Sequence, residues 1–329
     1  RSNKEIMLMD RKREILVTGG AGFIGSHLVD HLLECGDSIT VVDNFDPFYD
    51  MRIKQQNISQ HLCKPDFHLL QVDIRNLDEL RNNLSGQSFD IIVHLAARAG
   101  VRQSISDPIT CSEVNVNGTL NLLEMAKEKK VKQFVFASSS SVYGINPNVP
   151  WKEDDNALLP ISPYASTKIS GELLGHVYSH LYGMRFLALR LFTVYGPRQR
   201  PDLAIHKFAR LMKERKAIPI YGDGSTSRDY TFVGDIVKGL AAAMDYSGSD
   251  YEVINIGNSH TVSLSEMIET LEDVLQIKAI REERSLIAGD VSQTWADVTK
   301  SEKLLGFSPR TTLKEGVKAF IDSLQAAGE

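Results

Sequence analysis

Long apolar runs are missing from this 329-residue sequence. None approaches the roughly 20 residues a helix needs to span a bilayer, and no membrane partner is expected. Cysteine is scarce. Cys35, Cys63 and Cys111 are odd in number, widely spaced and without a CxxC pair. That argues against a disulfide framework and against a zinc site, so no metal is expected. An excess of positive charge is missing too. Lys and Arg number 37 against 42 Asp and Glu, a formal net charge of −5, so nothing draws nucleic acid to the surface in general. The basic runs at 11–13 and 127–132 read as solvated positions at element ends. The polar N-terminus carries no secretory apolar segment. Residues 1–10 are expected to form a flexible tail, and a reducing, cytoplasmic setting is the default expectation. There is no internal repeat and no low-complexity stretch.

What is present is an ordinary globular composition, 42% hydrophobic and 24% charged, enough for one large domain or a large one with a smaller lobe. Short β-branched runs alternate with helical patterns. Strands are expected at 14–18, 38–43, 67–73, 90–95, 133–138 and 185–192, and helices at 26–34, 76–84, 114–129 and 164–182. The strands are continuously apolar rather than alternating, which means that both faces of the sheet are covered. The expected fold is therefore α/β, a Rossmann-type doubly wound parallel sheet. In such sheets ligands sit beyond the carboxyl ends of the strands.

Beyond residue 192 the pattern changes. Residues 197–202 form a basic, proline-flanked loop and 221–229 a turn-rich link; helices are expected at 262–275 and 313–326, with short strands near 251–256. The expected division is a dinucleotide-binding domain at 11–192, with a segment of about 230–260 returning to it. Residues 193–329 then form mainly a smaller, interleaved C-terminal α/β substrate lobe.

The sequence TGGAGFIG (18–25) follows a strand and opens a helix, and it places Gly19, Gly22 and Gly25 at G-x-x-G-x-x-G spacing. The first glycine allows the tight turn, the second lets backbone N–H groups approach a pyrophosphate, and the third lets helix pack on strand. A helix N-terminus favours the anion. Asp43 ends the second strand 24 residues after Gly19, where a carboxylate accepts hydrogen bonds from the adenosine ribose and repels a 2′-phosphate. NAD is the expected cofactor. Asp73 closes the third strand within reach of the adenine amino group, with Ile74 against the ring. Ala96 and Ala97 are small where a cofactor approaches closely.

Tyr164 and Lys168 in SPYASTK (162–168) stand four residues apart on one helical face. A neighbouring ammonium favours the phenolate, as does a positive nicotinamide ring, which would make Tyr164 a workable base for a sugar hydroxyl. Four serines, Ser138 to Ser141, follow the fifth strand at the expected cofactor edge and offer a hydroxyl to the reacting oxygen.

Along almost its whole length the chain resembles the extended short-chain dehydrogenase/reductase (NAD-dependent epimerase/dehydratase) family. The resemblance rests on TGGAGFIG (18–25), VVDN (41–44), LAA (95–97), NVNGT (115–119), SSSSVYG (138–144), YASTK (164–168), RLFTVYGP (190–197) and RDY (228–230). Within that family it looks most like the UDP-glucuronate 4-epimerases, on ARAGVRQSI (97–105), SSSSVYG, SHLYG (179–183) and TVYGPRQRPDLA (193–204). The resemblance implies NAD contacts at Gly19, Gly22, Phe23, Ile24, Gly25, Asp43, Asn44, Asp73, Ile74, Leu95, Ala96, Ala97 and Ala99. It implies Tyr164 as general base, Lys168 as its electrostatic partner and ribose ligand, and Ser139 at the catalytic Ser/Thr position. Ser140, Ser141 and Thr193 would lie near the sugar. Arg200 would meet a substrate carboxylate or phosphate, Arg228 the diphosphate and Asp290 the nucleotide ribose. Related UDP-galactose 4-epimerases place an arginine on the diphosphate where this chain has Ile287-Ala288-Gly289-Asp290. A homodimer formed by helices 114–129 and 164–182 is also implied.

A doubly charged diphosphate and a sugar carboxylate call for several cations. Arg98, Arg102, Arg198, Arg200 and Arg228 fall in loops expected to face the site, with Arg102 included among the substrate contacts. The expected reaction is redox-neutral 4-epimerisation of UDP-glucuronate through a 4-keto sugar. Decarboxylation of the same β-keto acid, 4-epimerisation of neutral UDP-sugars, and a non-catalytic NAD-bound sensor or scaffold stay open as alternatives. A 4,6-dehydratase would need an Asp-Glu pair where Ser140 and Ser141 stand.

Overall fold

Strand β1 (Glu14–Thr18) shows why its sequence is an unbroken apolar run. Ile15 and Val17 pack into one apolar cluster, Leu16 into another on the opposite face, and all three are fully buried. A strand covered on both sides has no polar face to present. The computed structural model describes residues 12–285 and 290–326. The expected tail at 1–10 and residues Ile287, Ala288 and Gly289 lie outside that range.

The further strands are β2 (Ser38–Val42), β3 (Phe67–Leu70), β4 (Ile91–His94), β5 (Gln133–Ser139), β6 (Arg185–Leu191), β7 (Thr193–Tyr195), β8 (Ala217–Tyr221), β9 (Ser227–Phe232), β10 (Tyr251–Ile256), β11 (Thr261–Ser263) and β12 (Ile280–Arg284). Seven of them form one sheet in the order β10-β6-β5-β4-β1-β2-β3, every neighbouring pair parallel. The chain starts in the interior, winds outward to β3, returns, and winds the other way. The order therefore reverses between β1 and β4, where a doubly wound sheet opens its ligand crevice.

The helices are α1 (Phe23–Glu34), α2 (Met51–Ser59), α3 (Leu77–Asn83), α4 (Val101–Ser106), α5 (Pro108–Ser112), α6 (Gly118–Glu128), α7 (Pro163–Tyr182), α8 (Ala204–Lys213), α9 (Val233–Asp245), α10 (Leu264–Leu275), α11 (Thr299–Leu305) and α12 (Leu313–Ala326). Leu28, Val29 and Leu32 of α1 and Ile236, Leu240 and Ala243 of α9 cover one face of the large sheet. Leu122, Leu123, Met125 and Ala126 of α6, with Tyr178 of α7, cover the other. A separate cluster joins Phe208 and Met212 of α8, Ile218 and Ile220 of β8, Met267 and Leu271 of α10, and Val317 and Phe320 of α12. Tyr143, Trp151, Phe192 and Ala296 form a smaller apolar bridge.

The architecture is the expected Rossmann-type α/β fold, with several local differences. The third strand stops at Leu70 rather than Asp73. The link expected at 221–229 gives way at Ser227 to β9, which lies between β7 and β11 in a three-stranded sheet. The helix expected from 262 starts at Leu264, because Ser263 and Glu266 form a reciprocal capping box that fixes its first turn. The helix expected at 114–129 is entered through a π-helical turn, Glu113–Asn117. Strand β10 closes the large sheet beside β6, in the segment of about 230–260 that was expected to return to the first domain.

Candidate active site

The glycine loop is locked by backbone geometry. Gly19 has φ +72°, and a Cβ built there would lie 2.7 Å from the Ala96 nitrogen at the end of β4. A Cβ on Gly25 would stand 2.2 Å from the Gly19 carbonyl oxygen. Both positions need glycine for close approach, not only for turning. Gly22 precedes α1, whose first turn carries no acidic side chain, so the positive end of the helix stays available to an anion.

Above this loop opens a cleft of about 1090 Å³, part of it open to solvent. Gly19, Gly22, Phe23, Ile24, Gly25, Asp43, Asn44, Asp73, Ile74, Leu95, Ala96, Ala97 and Ala99 all line it. Asp43 is 7% exposed. Its carboxylate accepts from the Ala21 and Phe45 backbone N–H groups at 3.2 and 2.9 Å. Burial pushes its pKa up, and Lys54 and these N–H groups pull it back. Two backbone bonds leave a carboxylate with acceptor capacity for ribose hydroxyls. Asp73 is more occupied than its expected adenine contact suggests. It takes bonds from Arg75 at 2.8 to 3.0 Å and from Asn44 Nδ2 at 3.0 Å, and Arg75 holds it below the usual carboxylate range. The glycine cradle, the helix terminus and Asp43 together suit an adenine dinucleotide.

The far wall of the cleft brings Arg98 and Arg200, both expected to face the site, together with Asp46, Phe48, Tyr49 and Lys54, which nothing in the sequence singles out. Arg98 pairs with Asp46 at 2.9 Å, and the Arg98 and Arg200 guanidinium carbons each lie 5.4 Å from the Phe48 ring centroid. Arg200 is further held by Asp202 at 2.8 Å. Arg198 does not face the site. Its φ of +60° turns the side chain to Asp30 on α1, at 2.8 Å, while His27 bonds the Pro197 carbonyl at 2.9 Å. These two contacts tie loop 197–202 to the helix that opens at the glycine loop.

Where β5 ends against α7, Ser139, Tyr164 and Lys168 meet. Ser162 caps α7, accepting from the Ala165 N–H at 3.2 Å, and Pro163 opens the first turn, which sets Tyr164 at the helix entrance. Lys168 is 4% exposed. Its ammonium donates to the Ala137 carbonyl at 2.7 Å and lies 5.8 Å from the Tyr164 ring centroid. Burial brings Lys168 down to about 8. Tyr164 departs from expectation. Burial pushes its phenol up, and the Ser139 hydroxyl and the Arg200 guanidinium pull it back. Ser139 also accepts from the Ser141 N–H at 3.1 Å, which orients its hydroxyl at the strand end.

A second pocket of about 510 Å³ lies beyond this group. Ser140, Ser141, Thr193, Arg228 and Asp290 line it, with Trp151 and Ser162. Asp290 is held from two sides, by Arg228 and Arg102, both at 3.2 Å. The Arg102 guanidinium also lies 5.0 Å from the Tyr221 ring centroid. Arg200, by contrast, stands on the cleft side of Tyr164. Asn115, carried in NVNGT, is buried and holds the Arg98 backbone at both its N–H and its carbonyl, at 2.7 and 3.2 Å. Among the described residues no group of three His, Cys, Asp or Glu side chains could hold a metal ion, and no helix is long and apolar enough to cross a membrane.

Comparison with known proteins gives this geometry a context. The family model for GDP-mannose 4,6 dehydratase matches residues 16–320. A UDP-glucuronate 4-epimerase of Thermodesulfobacterium geofontis is 41% identical over 309 residues, spanning 93% of this chain and 94% of that protein. The crystal structure of UDP-glucuronic acid 4-epimerase from Bacillus cereus, in complex with UDP-glucuronic acid and NAD, is 37% identical with a TM-score of 0.88 and covers 95% of this chain and 99% of that one. UDP-glucose 4-epimerase from Thermotoga maritima, crystallised with UDP-glucose, is 32% identical with a TM-score of 0.88, covering 96% and 100%.

Proposed function

From the premise that the chain belongs to the GDP-mannose 4,6 dehydratase family, within the extended short-chain dehydrogenases/reductases, we propose that it is an NAD-dependent UDP-glucuronate 4-epimerase, producing UDP-galacturonate. The observation that carries this reading is the meeting of Ser139, Tyr164 and Lys168 between the dinucleotide cleft and a pocket lined with hydroxyls. The family's name does not decide the reaction, because Ser140 and Ser141 stand where dehydration needs a carboxylic acid–base pair.

NAD would lie on Gly19, Gly22 and the start of α1, with Asp43 at the adenosine ribose, and when bound it supplies a reversible hydride acceptor at the sugar C4. Tyr164 takes the proton of the C4 hydroxyl and later returns it. The Ser139 hydroxyl bonds the same oxygen and keeps it in line with the phenol. Lys168, fixed by the Ala137 carbonyl, holds a positive charge beside both. Ser140, Ser141 and Thr193 offer neutral hydrogen bonds that a ring can exchange as the 4-keto sugar turns over. Arg228 and Arg102 receive the diphosphate, which competes with Asp290 for them, and Asp290 is then free for the nucleotide ribose. A 4-keto uronate is a β-keto acid that loses CO₂ readily. Thr193 and Arg200 guard against this by holding the carboxylate.

One observation favours a second reading, epimerisation of a neutral UDP-sugar: Arg200 already has an internal partner in Asp202. The strand order supports assigning 11–192, with the returning segment near 230–260, to the cofactor and mainly 193–329 to the nucleotide sugar. Leu173, Val177 and Leu181 recur every four residues along α7, 63%, 47% and 61% exposed, which supports pairing with a second copy into a homodimer.

The test is incubation of the purified protein with UDP-glucuronate and no added cofactor, followed by NMR of the products. UDP-galacturonate is expected. A UDP-pentose with released CO₂ means decarboxylation. Turnover of UDP-glucose alone means the neutral-sugar reading.

A further inference from the structure

Behind Lys168, on the same face of α7 and one turn further along, lies Glu172. The carboxylate is gripped by Arg190 of β6 through two parallel bonds, Nε to Oε1 at 2.9 Å and Nη2 to Oε2 at 2.8 Å, and both side chains are 4% exposed. Glu172 Oε1 also accepts from the Ser138 hydroxyl, the residue immediately before Ser139. Ser138 and Arg190 face each other across the β5–β6 register. The guanidinium stacks 4.7 Å over the Tyr143 ring, whose hydroxyl donates to Asn255 at 2.8 Å. None of these atoms reaches either the cleft or the sugar pocket.

A buried ion pair is weak evidence for stability, since well-packed apolar residues often do as well. Its placement is more informative. It joins the strand end that carries Ser139 to the helix that carries Tyr164 and Lys168, and it sets an anion next to the ammonium in a dry interior. We propose that Glu172, gripped by Arg190, is a positioning residue of this site: it ties the end of β5 to α7 and keeps Lys168 charged, so that Ser139 and Tyr164 meet in register. The proposal rests on the assignment of Tyr164 and Lys168 as the reacting pair.

The surroundings of Lys168 show why an anion is needed. Its ammonium faces Tyr164 and Glu172 on its own helix, Cys111 on α5, His94 on β4, and the Phe136 ring and Ala137 carbonyl on β5. His94 is held neutral by burial and by Lys168 itself, and it bonds Thr18 and Thr119. Burial disfavours the ammonium, bringing its pKa down to about 8, while Cys111 and Glu172 oppose that fall. The Cys111 thiol is itself pushed up by burial, which leaves Glu172 as the anion.

The two partners therefore act on Lys168 in opposite senses. Glu172→Gln removes the anion and leaves the Arg190 cation unpaired, so the Lys168 midpoint should fall by about one pH unit or more. Arg190→Gln removes the cation and leaves the anion to Lys168, so the midpoint should rise. The midpoint is read from the Cε resonance of ¹³C-labelled lysine in the NAD-bound protein, assigned by its loss in Lys168→Met. The alkaline limb of the kcat profile with UDP-glucuronate should move with it. Glu172→Asp keeps the charge and should lie between wild type and Glu172→Gln, which tests the proposal even where a single neutral substitution folds poorly. Unchanged midpoints, or single variants that move in the same direction, overturn it. The resonance needs no substrate, so inactivity of the wild type towards UDP-glucuronate would sink the proposed function and still leave this test decisive.

Discussion

Tyr164→Phe is expected to lower turnover of UDP-glucuronate by about 10²–10⁴-fold, the usual contribution of a positioned general acid–base group, while the purified protein keeps its NAD. The substitution removes one oxygen. The ring stays at the entrance of α7, where Ser162 and Pro163 fix the first turn. The glycine loop, Asp43 and the wall around Phe48 do not involve that hydroxyl. What is lost is the group that carries the C4 proton, and nothing nearby replaces it: Lys168 is committed to the Ala137 carbonyl and Ser139 to Ser141. Steady-state rates beside acid-released NAD per protein chain check both halves. Undiminished turnover contradicts the base assignment, and loss of NAD together with turnover assigns Tyr164 a structural part instead.

Gly25→Ala should strip the protein of its cofactor, lowering the NAD recovered per chain by at least about tenfold, a factor equivalent to roughly 1.4 kcal/mol of binding. The added methyl would stand 2.2 Å from the Gly19 carbonyl oxygen and 2.8 Å from the Gly20 Cα. Both are backbone atoms, so no rotamer change relieves the clash. Either α1 moves off the loop or the loop moves off β1, and both displace the helix N-terminus from the pyrophosphate position. The same substitution should lower the midpoint of thermal unfolding, because Leu28, Val29 and Leu32 of α1 must shift with it. A variant that purifies with full NAD content would mean that the loop is more compliant than its contacts indicate.

These two sites were legible in the sequence for different reasons. The glycine loop announces itself because its constraints are local: a tight turn and a close strand–helix contact admit glycine and little else. The strands of the large sheet were legible because both of its faces are covered, so their residues are apolar with little interruption; the short strands of the smaller lobe, such as the exposed β12, were not. Asp43 followed from its place at a strand end. Of the wall, Arg98 and Arg200 were legible as cations in site-facing loops, whereas Asp46, Phe48, Tyr49 and Lys54 were not, since packing brings them there and they leave no periodic trace. Arg198 and Arg200 show the limit most sharply. They are two positions apart in one basic loop, yet the positive φ at Arg198 sends it to Asp30 while Arg200 turns to the cleft. The π-helical turn at 113–117 overlaps the plain helix expected from 114, because NVNGT does not show in sequence that Asn115 bonds the Arg98 backbone, a contact with another segment. A four-residue spacing puts Lys168 on the same face as Tyr164, with its ammonium 5.8 Å from the ring centroid, but that the direction of the ammonium is set by the Ala137 carbonyl, on another element, leaves no trace in the sequence.

The central claim is that C4 is oxidised and reduced again within one closed site, without exchange with water. UDP-glucuronate carrying deuterium at C4 tests this most directly. The product is isolated from ordinary water and its C4 position is examined by NMR and mass. A hydride that leaves C4 and returns keeps its isotope, so UDP-galacturonate should retain the deuterium at C4. UDP-galacturonate with hydrogen at C4 and the deuterium lost to solvent would contradict the account.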